Sequence, residues 1–333
     1  MCGYTEKAIK AICRNKIDDL CKWIAKKDKE LADDFKKHCF VSGGAITSLL
    51  QGEQPNDFDI YVDNIETLYN ICCFYTNQWN ENHKTQKEFN VVKHIITDKE
   101  ELLNGYNQDL NIIYDVREGV EVQVRSEGIA KDEDIEDQDE IENLPLPSKE
   151  LVEDIDTIKE EYKEKYVIKC ITSNALSLSD DVQIICRFCG NPEEIFKNYD
   201  FIHTMQAYYR ANDKLLLNIK SLVSIMSKRL EYQGSLFPIC SLFRLRKFLS
   251  RGWTISSMEI LKIAYQISKL DLNDINVLRD SLVGCDYYYM LSFIEALHEW
   301  RENNPDTEFN SEYMFKLIEE VFDKDYSLSE NID

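Results

Sequence analysis

Apolar residues recur every third or fourth position over 5–25, at Ile9, Ile12, Cys13, Ile17, Leu20 and Ile24, and this spacing predicts an amphipathic helix. A short apolar run, Cys39-Phe40-Val41, predicts a strand that stops at Gly43-Gly44, and 45–50 then has helical character. Over 57–62 the period drops to two, with Phe58, Ile60 and Val62 alternating with polar or semi-polar neighbours, as in a strand with one buried face. The stretch 65–79 suits a helix. Further strands are expected over 89–96, 109–116 and 120–124, and over 166–171 and 182–188, the last two rich in β-branched and aromatic residues.

The texture changes near Tyr208. Leu215, Ile219, Leu222, Val223, Met226 and Leu230 form a helical stripe, and Ser256-Ser257-Met258-Glu259 reads as a capping box that opens another helix. Helices are also expected over 274–282, 287–300 and 313–322. The fold class that follows is a mixed α/β domain with a mixed sheet, then an all-helical domain. The boundaries expected are a helical segment over 1–38, the α/β domain over 39–207 and the helical domain over 208–333. No fixed-period repeat is present.

Charge refines this picture. The 333 residues include 61 acidic and 39 basic ones, a net charge of −22, which argues against phosphate-backbone binding by the whole surface. From 127 to 164 there are 16 acidic and 4 basic residues, a local net of −12. Repulsion at that density resists packing, so 127–165 is expected to be an insertion in the α/β domain. The opposite bias runs over 214–251, where eight basic residues face Glu231 alone, a local net of +7. Within it, Arg244, Arg246, Lys247 and Arg251 are the candidate contacts to a nucleic acid. No apolar stretch is long enough for a membrane helix, the first residues lack a secretory layout, and 11 cysteines without such a signal read as reduced thiols. A cytoplasmic protein is expected, with no membrane partner.

The chemistry is concentrated in Val41-Ser42-Gly43-Gly44-Ala45-Ile46 and Asp57-Phe58-Asp59. Two glycines after a strand let the backbone approach a phosphate, and the following helix aims its free N–H groups at the anion. A period of two puts Asp57 and Asp59 on one face, with Phe58 and Ile60 packed behind the sheet. Two hard oxygen donors beside a phosphate-binding turn suit Mg²⁺ (or Mn²⁺) on a nucleoside triphosphate. Cys186-x-x-Cys189 with His203 has half of a zinc spacing, but positions i and i+3 of a strand face opposite ways, so no metal is assigned there.

The run Gly43-Gly44-Ala45-Ile46-Thr47-Ser48-Leu49-Leu50-Gln51-Gly52 through Pro55-Asn56-Asp57-Phe58-Asp59-Ile60 resembles the head of the DNA polymerase β-like nucleotidyltransferases. It is closest to the poly(A) polymerase and CCA-adding type, which usually has Arg-Asp where Thr47-Ser48 stand. Ser173-Asn174-Ala175-Leu176, Pro192-Glu193-Glu194-Ile195, Tyr199-Asp200-Phe201 and Arg244-Leu245-Arg246-Lys247-Phe248 resemble nucleotidyltransferase-like proteins of large DNA viruses and bacteriophages. A viral protein of this kind would work in the host cytoplasm.

The resemblance implies transfer of a nucleoside monophosphate from a nucleoside triphosphate to an acceptor hydroxyl, an RNA 3′ end first. Asp57 and Asp59 would be metal ligands, and Ser42, Gly43 and Gly44 would bind the nucleotide. A third carboxylate is implied as well: Asp200 first, then Glu121, then Asp109. Lys169 and Arg187 are candidate triphosphate contacts. The alternatives are a non-catalytic viral module that keeps the fold for interaction or assembly, and a toxin or anti-defence transferase acting on protein or tRNA.

Overall fold

The computed structural model describes residues 3–83, 87–95, 118–126, 165–171, 175–272 and 277. The strand expected over 109–116, almost all of 127–165 and, apart from residue 277, the helices expected beyond 273 lie outside these residues. Helix α1 (Glu6–Ile24) starts where the Thr5 side chain accepts a hydrogen bond from the Ala8 N–H. Its Ile9, Cys13, Ile17, Leu20 and Ile24 are fully buried, one face of a 3.6-residue period. Helix α2 (Lys29–His38) is capped by Asp28 and ends on Lys36, Lys37 and His38, charges suited to a helix C-terminus.

Strand β1 (Cys39–Ser42) leads through Gly43 into α3 (Gly44–Gln51), which ends at Gly52 in the left-handed conformation. Strand β2 (Phe58–Val62) and helix α4 (Ile65–His83) follow, then β3 (Lys87–Ile95) and β4 (Glu118–Ser126). Next come β5 (Ile168–Ile171), β6 (Ala175–Leu178) and β7 (Val182–Cys189). Helix α5 (Pro192–Phe196) has a capping box between Asn191 and Glu194. A single 3₁₀ turn (Ile202–Thr204) precedes β8 (Gln206–Tyr209) and β9 (Lys214–Leu217).

One sheet takes in nine of these strands. Its main path runs β3-β4-β7-β2-β1-β8-β9, and β6 pairs with both β7 and β5. Most neighbours are antiparallel, but β2 and β7 are parallel, with Asp59 opposite Gln183. The fold is mixed α/β. Cys39, Val41, Phe58, Ile60 and Val62 pack in one core cluster with residues of α1, α2 and α4. Phe40 and Tyr61 project to the other face and meet Ile195 of α5, Ala207 and Tyr199. The period of two therefore divides β1 and β2 between two cores.

Two local expectations change. The stripe beginning at Leu215 predicts a helix, yet Lys214–Leu217 is strand β9, antiparallel to β8, so the sheet continues past residue 207. The reason is local: the Asn218 side chain accepts from the Lys220 and Ser221 N–H groups and fixes the start of α6 (Ile219–Ser227) there. Cys186 and Cys189, expected on opposite faces, are both buried in the same core cluster. The β2–β7 register shifts between Ile60 and Val62, and such an irregularity reverses the alternation.

A smaller helical layer follows. Helix α6 runs into β10 (Arg229–Leu230), and β11 (Thr254–Ile255) pairs with it in parallel after α7 (Pro238–Ser250). Helix α8 (Ser257–Ile267) starts with the Ser256 side chain accepting from the Glu259 N–H. Glu259 does not complete the box. It accepts from the Tyr232 N–H instead. Phe201, Ile225, Leu230, Tyr232, Leu245, Trp253 and Ile263 form the core of this layer.

His203 sits beside that core with its ring 4.4 Å from Phe248 and 4.5 Å from Trp253, and neither ring nitrogen has a hydrogen-bond partner. Burial pushes its pKa down to about 4, against a smaller opposing pull from Asp200. A histidine held neutral in the fold contributes stability that is complete above its unfolded pKa of about 6.5 and is lost as pH falls toward 4. Urea denaturation should therefore show a loss on the order of 3 kcal/mol between these pH values. His203→Phe should flatten that limb of the curve.

Candidate active site

Strands β1 and β2 are antiparallel, with Ser42 directly opposite Asp59. The end of β1 therefore lies against the start of β2, and the turn at Gly43 falls beside the carboxylates. Gly43 has φ +81° and ψ −145°, a region essentially reserved for glycine. A Cβ there would lie 3.1 Å from Asp59 Oδ2 and 3.8 Å from the Tyr199 hydroxyl. At Gly44, the first residue of α3, a Cβ would meet nothing within 4 Å. Gly43 is the N-cap of α3 and has no side chain to cap it, and a helix N-terminus draws anions through its dipole and free N–H groups.

Asp57 and Asp59 are both half-buried. Gln183 of β7 donates from Nε2 to Asp57 Oδ2 at 3.0 Å. Behind Asp59, Tyr61 and Tyr199 pack with ring centroids 6.2 Å apart. Burial raises the Tyr61 hydroxyl pKa well above its usual value, reinforced by Tyr199 and by the negative charge of Asp59. Burial likewise raises Tyr199, so both phenols stay protonated near the carboxylate.

Ser42 is fully buried. Its hydroxyl donates to the Gln206 carbonyl at 2.7 Å and accepts from the Tyr199 hydroxyl at 2.8 Å. Named in the sequence as a candidate nucleotide contact, it has its hydroxyl engaged within the protein beneath Gly43, as a buried hydroxyl requires. Thr47, one of the departures from the Arg-Asp pattern, donates to the His203 carbonyl at 2.9 Å. That bond holds α3 to the helical layer.

Asp200 and Arg244 were expected to serve two different ligands, and here they meet each other. Asp200 Oδ2 accepts from Arg244 Nη1 at 2.7 Å and from the Ser241 hydroxyl at 3.0 Å, and Oδ1 accepts from the Phe201 N–H at 2.9 Å. A carboxylate this buried is stable only when hydrogen-bonded and paired, and α7 supplies both partners. Among the described residues no group of three or more His, Cys, Asp or Glu side chains is gathered to hold a metal ion. The triad of Asp57, Asp59 and Asp200 is therefore not assembled. Glu121 lies on β4 opposite Val92, and Asp109 lies outside the described residues.

The candidate phosphate contacts divide similarly. Arg187 on β7 places its guanidinium carbon 4.4 Å from the Phe237 ring centroid. Lys169 is exposed on β5, with β6 and β7 between it and β2, about 14 Å across the sheet. Of the basic residues expected at a polyanion, Lys247 and Arg251 are exposed and Arg246 is half-buried. Sequence reasoning missed Gln183 and the roles of Tyr61 and Tyr199 beside Asp59. Only Gln183 left a trace in the sequence, as a polar residue near the start of the apolar strand β7.

The model of a family described as "Gabija anti-defense 2 family protein" matches residues 11–228. A protein of Bacillus phage SPbetaL7, "Gabija anti-defense 2", is 28% identical over 142 residues, which is 42% of this chain and 34% of the phage protein. The chain thus aligns with about a third of that relative's length. Among solved structures, a Thermotoga maritima CCA-adding enzyme in complex with tRNA is 12% identical with a TM-score of 0.37, covering 89% of this chain and 54% of that one. A CCA-adding enzyme with CTP is 14% identical with a TM-score of 0.36, covering 95% and 58%. Among the described residues no helix is long and apolar enough to cross a membrane.

The two glycines should respond differently to the same added methyl group. Gly43→Ala should cost about 1–3 kcal/mol in urea denaturation, from its backbone conformation. Gly44→Ala should leave the denaturation midpoint unchanged or slightly higher, since alanine favours a helix. A nucleotide that sits over this turn should nonetheless bind Gly44→Ala more weakly by calorimetry.

Proposed function

Because the chain belongs to the Gabija anti-defense 2 family, we propose that it counteracts that defence by nucleotidyl transfer. In this reaction an acceptor hydroxyl on a defence component attacks the α-phosphorus of a nucleoside triphosphate. The new bond joins acceptor oxygen to phosphorus, the α–β phosphoanhydride breaks, and pyrophosphate leaves. The observation that carries this reading is the placement of Asp59 Oδ2 against the Gly43 turn, at the N-terminus of α3.

In this reading Gly43 and Gly44 admit the β- and γ-phosphates to the first-turn N–H groups of α3. Asp57 and Asp59 would hold a divalent cation as hard oxygen donors. Mg²⁺ or Mn²⁺ bound there would neutralise the triphosphate and make the acceptor hydroxyl easier to deprotonate. Gln183 orients Asp57, while Tyr61 and Tyr199 exclude water behind Asp59. The exposed Lys247 and Arg251 support an RNA 3′ end as the second acceptor.

One observation favours a non-catalytic anti-defence role. The pairing of Asp200 with Arg244 leaves two of the three expected carboxylates beside the turn. A single assay separates the two readings: labelled nucleoside triphosphate, Mg²⁺, and either the purified Gabija proteins or RNA. Transfer of label, abolished in Asp57→Asn/Asp59→Asn with the thermal midpoint unchanged or raised, is the expected result. A midpoint no lower is expected because the change removes two neighbouring negative charges. No transfer to either acceptor, with inhibition of the defence intact, would establish the binding role instead.

A further inference from the structure

Helix α6 splits its apolar residues between two sides. Its inward face carries Ile225, which joins the core of the helical layer, and Ser221 and Ser224, both buried, whose hydroxyls donate to the carbonyls of His203 and Arg229. Its outward face carries Ile219, Val223 and Met226, which are 78%, 57% and 86% exposed. Side chains spaced by three and four form one stripe on a helix, so these three make a continuous apolar strip. Leu217, 39% exposed at the end of the edge strand β9, extends it. A surface helix ordinarily turns its apolar side inward, and an apolar patch displayed this way marks a docking surface.

Charge selects the occupant. Lys214, Lys220 and Arg229 are exposed around the strip, within the segment whose local net is +7 in a chain of net −22. Two copies meeting on this face about a twofold axis would set those cations against their own counterparts. A head-to-tail contact with an acidic face of another copy would build rings or fibres rather than a closed pair. We infer that the outward face of α6, with the end of β9, docks a different protein, one that presents an apolar strip with an acidic rim. The partner is the defence protein of the preceding section. This inference rests on the anti-defence role and not on the transfer chemistry.

The test uses the full chain and the purified Gabija proteins, with binding followed by biolayer interferometry. Val223→Asp/Met226→Asp should weaken binding at least tenfold, Lys220→Glu should weaken it less, and added salt should weaken the wild type. Ile260→Asp, an exposed position on α8, should bind as the wild type does. Asp57→Asn/Asp59→Asn should also bind normally, so loss of transfer and loss of docking are read separately. Unchanged binding by Val223→Asp/Met226→Asp, or no binding by the wild type, would overturn the inference. So would a wild-type dimer in the ultracentrifuge that this variant converts to monomer, which would make a second copy the occupant. A variant that melts earlier and exchanges amide hydrogen faster over 273–333 would also overturn it, by assigning the strip to the chain's own end.

Discussion

The register of β1 on β2 is the constraint on which the site depends. Ser42 opposite Asp59 sets the last residue before the turn against the second carboxylate, so Gly43 must bend where a charged oxygen already stands. A shift of one residue would turn Asp59 toward α1 and α4 and bring Phe58 or Ile60 to the turn. The register is held from both sides. Val41 and Ile60 are buried together in one core, Phe40 and Tyr61 in the other, and no slipped pairing satisfies both.

Beneath the turn, a buried polar chain ties this register to the helical layer. Tyr199 donates to Ser42, which donates to the Gln206 carbonyl. The Gln206 side chain donates to Ser221, and Ser221 and Thr47 both donate to the His203 carbonyl. Each link satisfies a group that would otherwise be buried without a partner. The serines on the inner side of α6, beside the core residue Ile225, are therefore needed inside, as the anchors between helix and sheet. The outward apolar strip is the other half of the same arrangement.

Much of this was legible in the sequence. The periods at Ile9–Ile24 and Phe58–Val62 carry their own geometry, because one buried face suffices to define each. The Gly-Gly turn and paired aspartates could be placed together because a strand, a tight turn, a short helix and a second strand leave few arrangements. Leu215-Leu216-Leu217 fits either a helix or a strand, and a side-chain amide at Asn218 decided it. Asp200 and Arg244 were legible as residue types but not as a pair, since 44 positions of chain separate them. The stripe read from Leu215 to Leu230 holds as a helix only over Ile219–Ser227, with both of its ends in strands, and it gave no sign that Ile219, Val223 and Met226 face outward.

The outward strip of α6 lies on a different element from the aspartates and the glycine turn. Its three apolar side chains contribute little to either core, so they are free to vary while the turn and its register are not. Under the proposed docking role, this helix face sets what is recognised while the register of β1 on β2 sets the turn, so recognition and turn geometry are specified by separate elements of one chain.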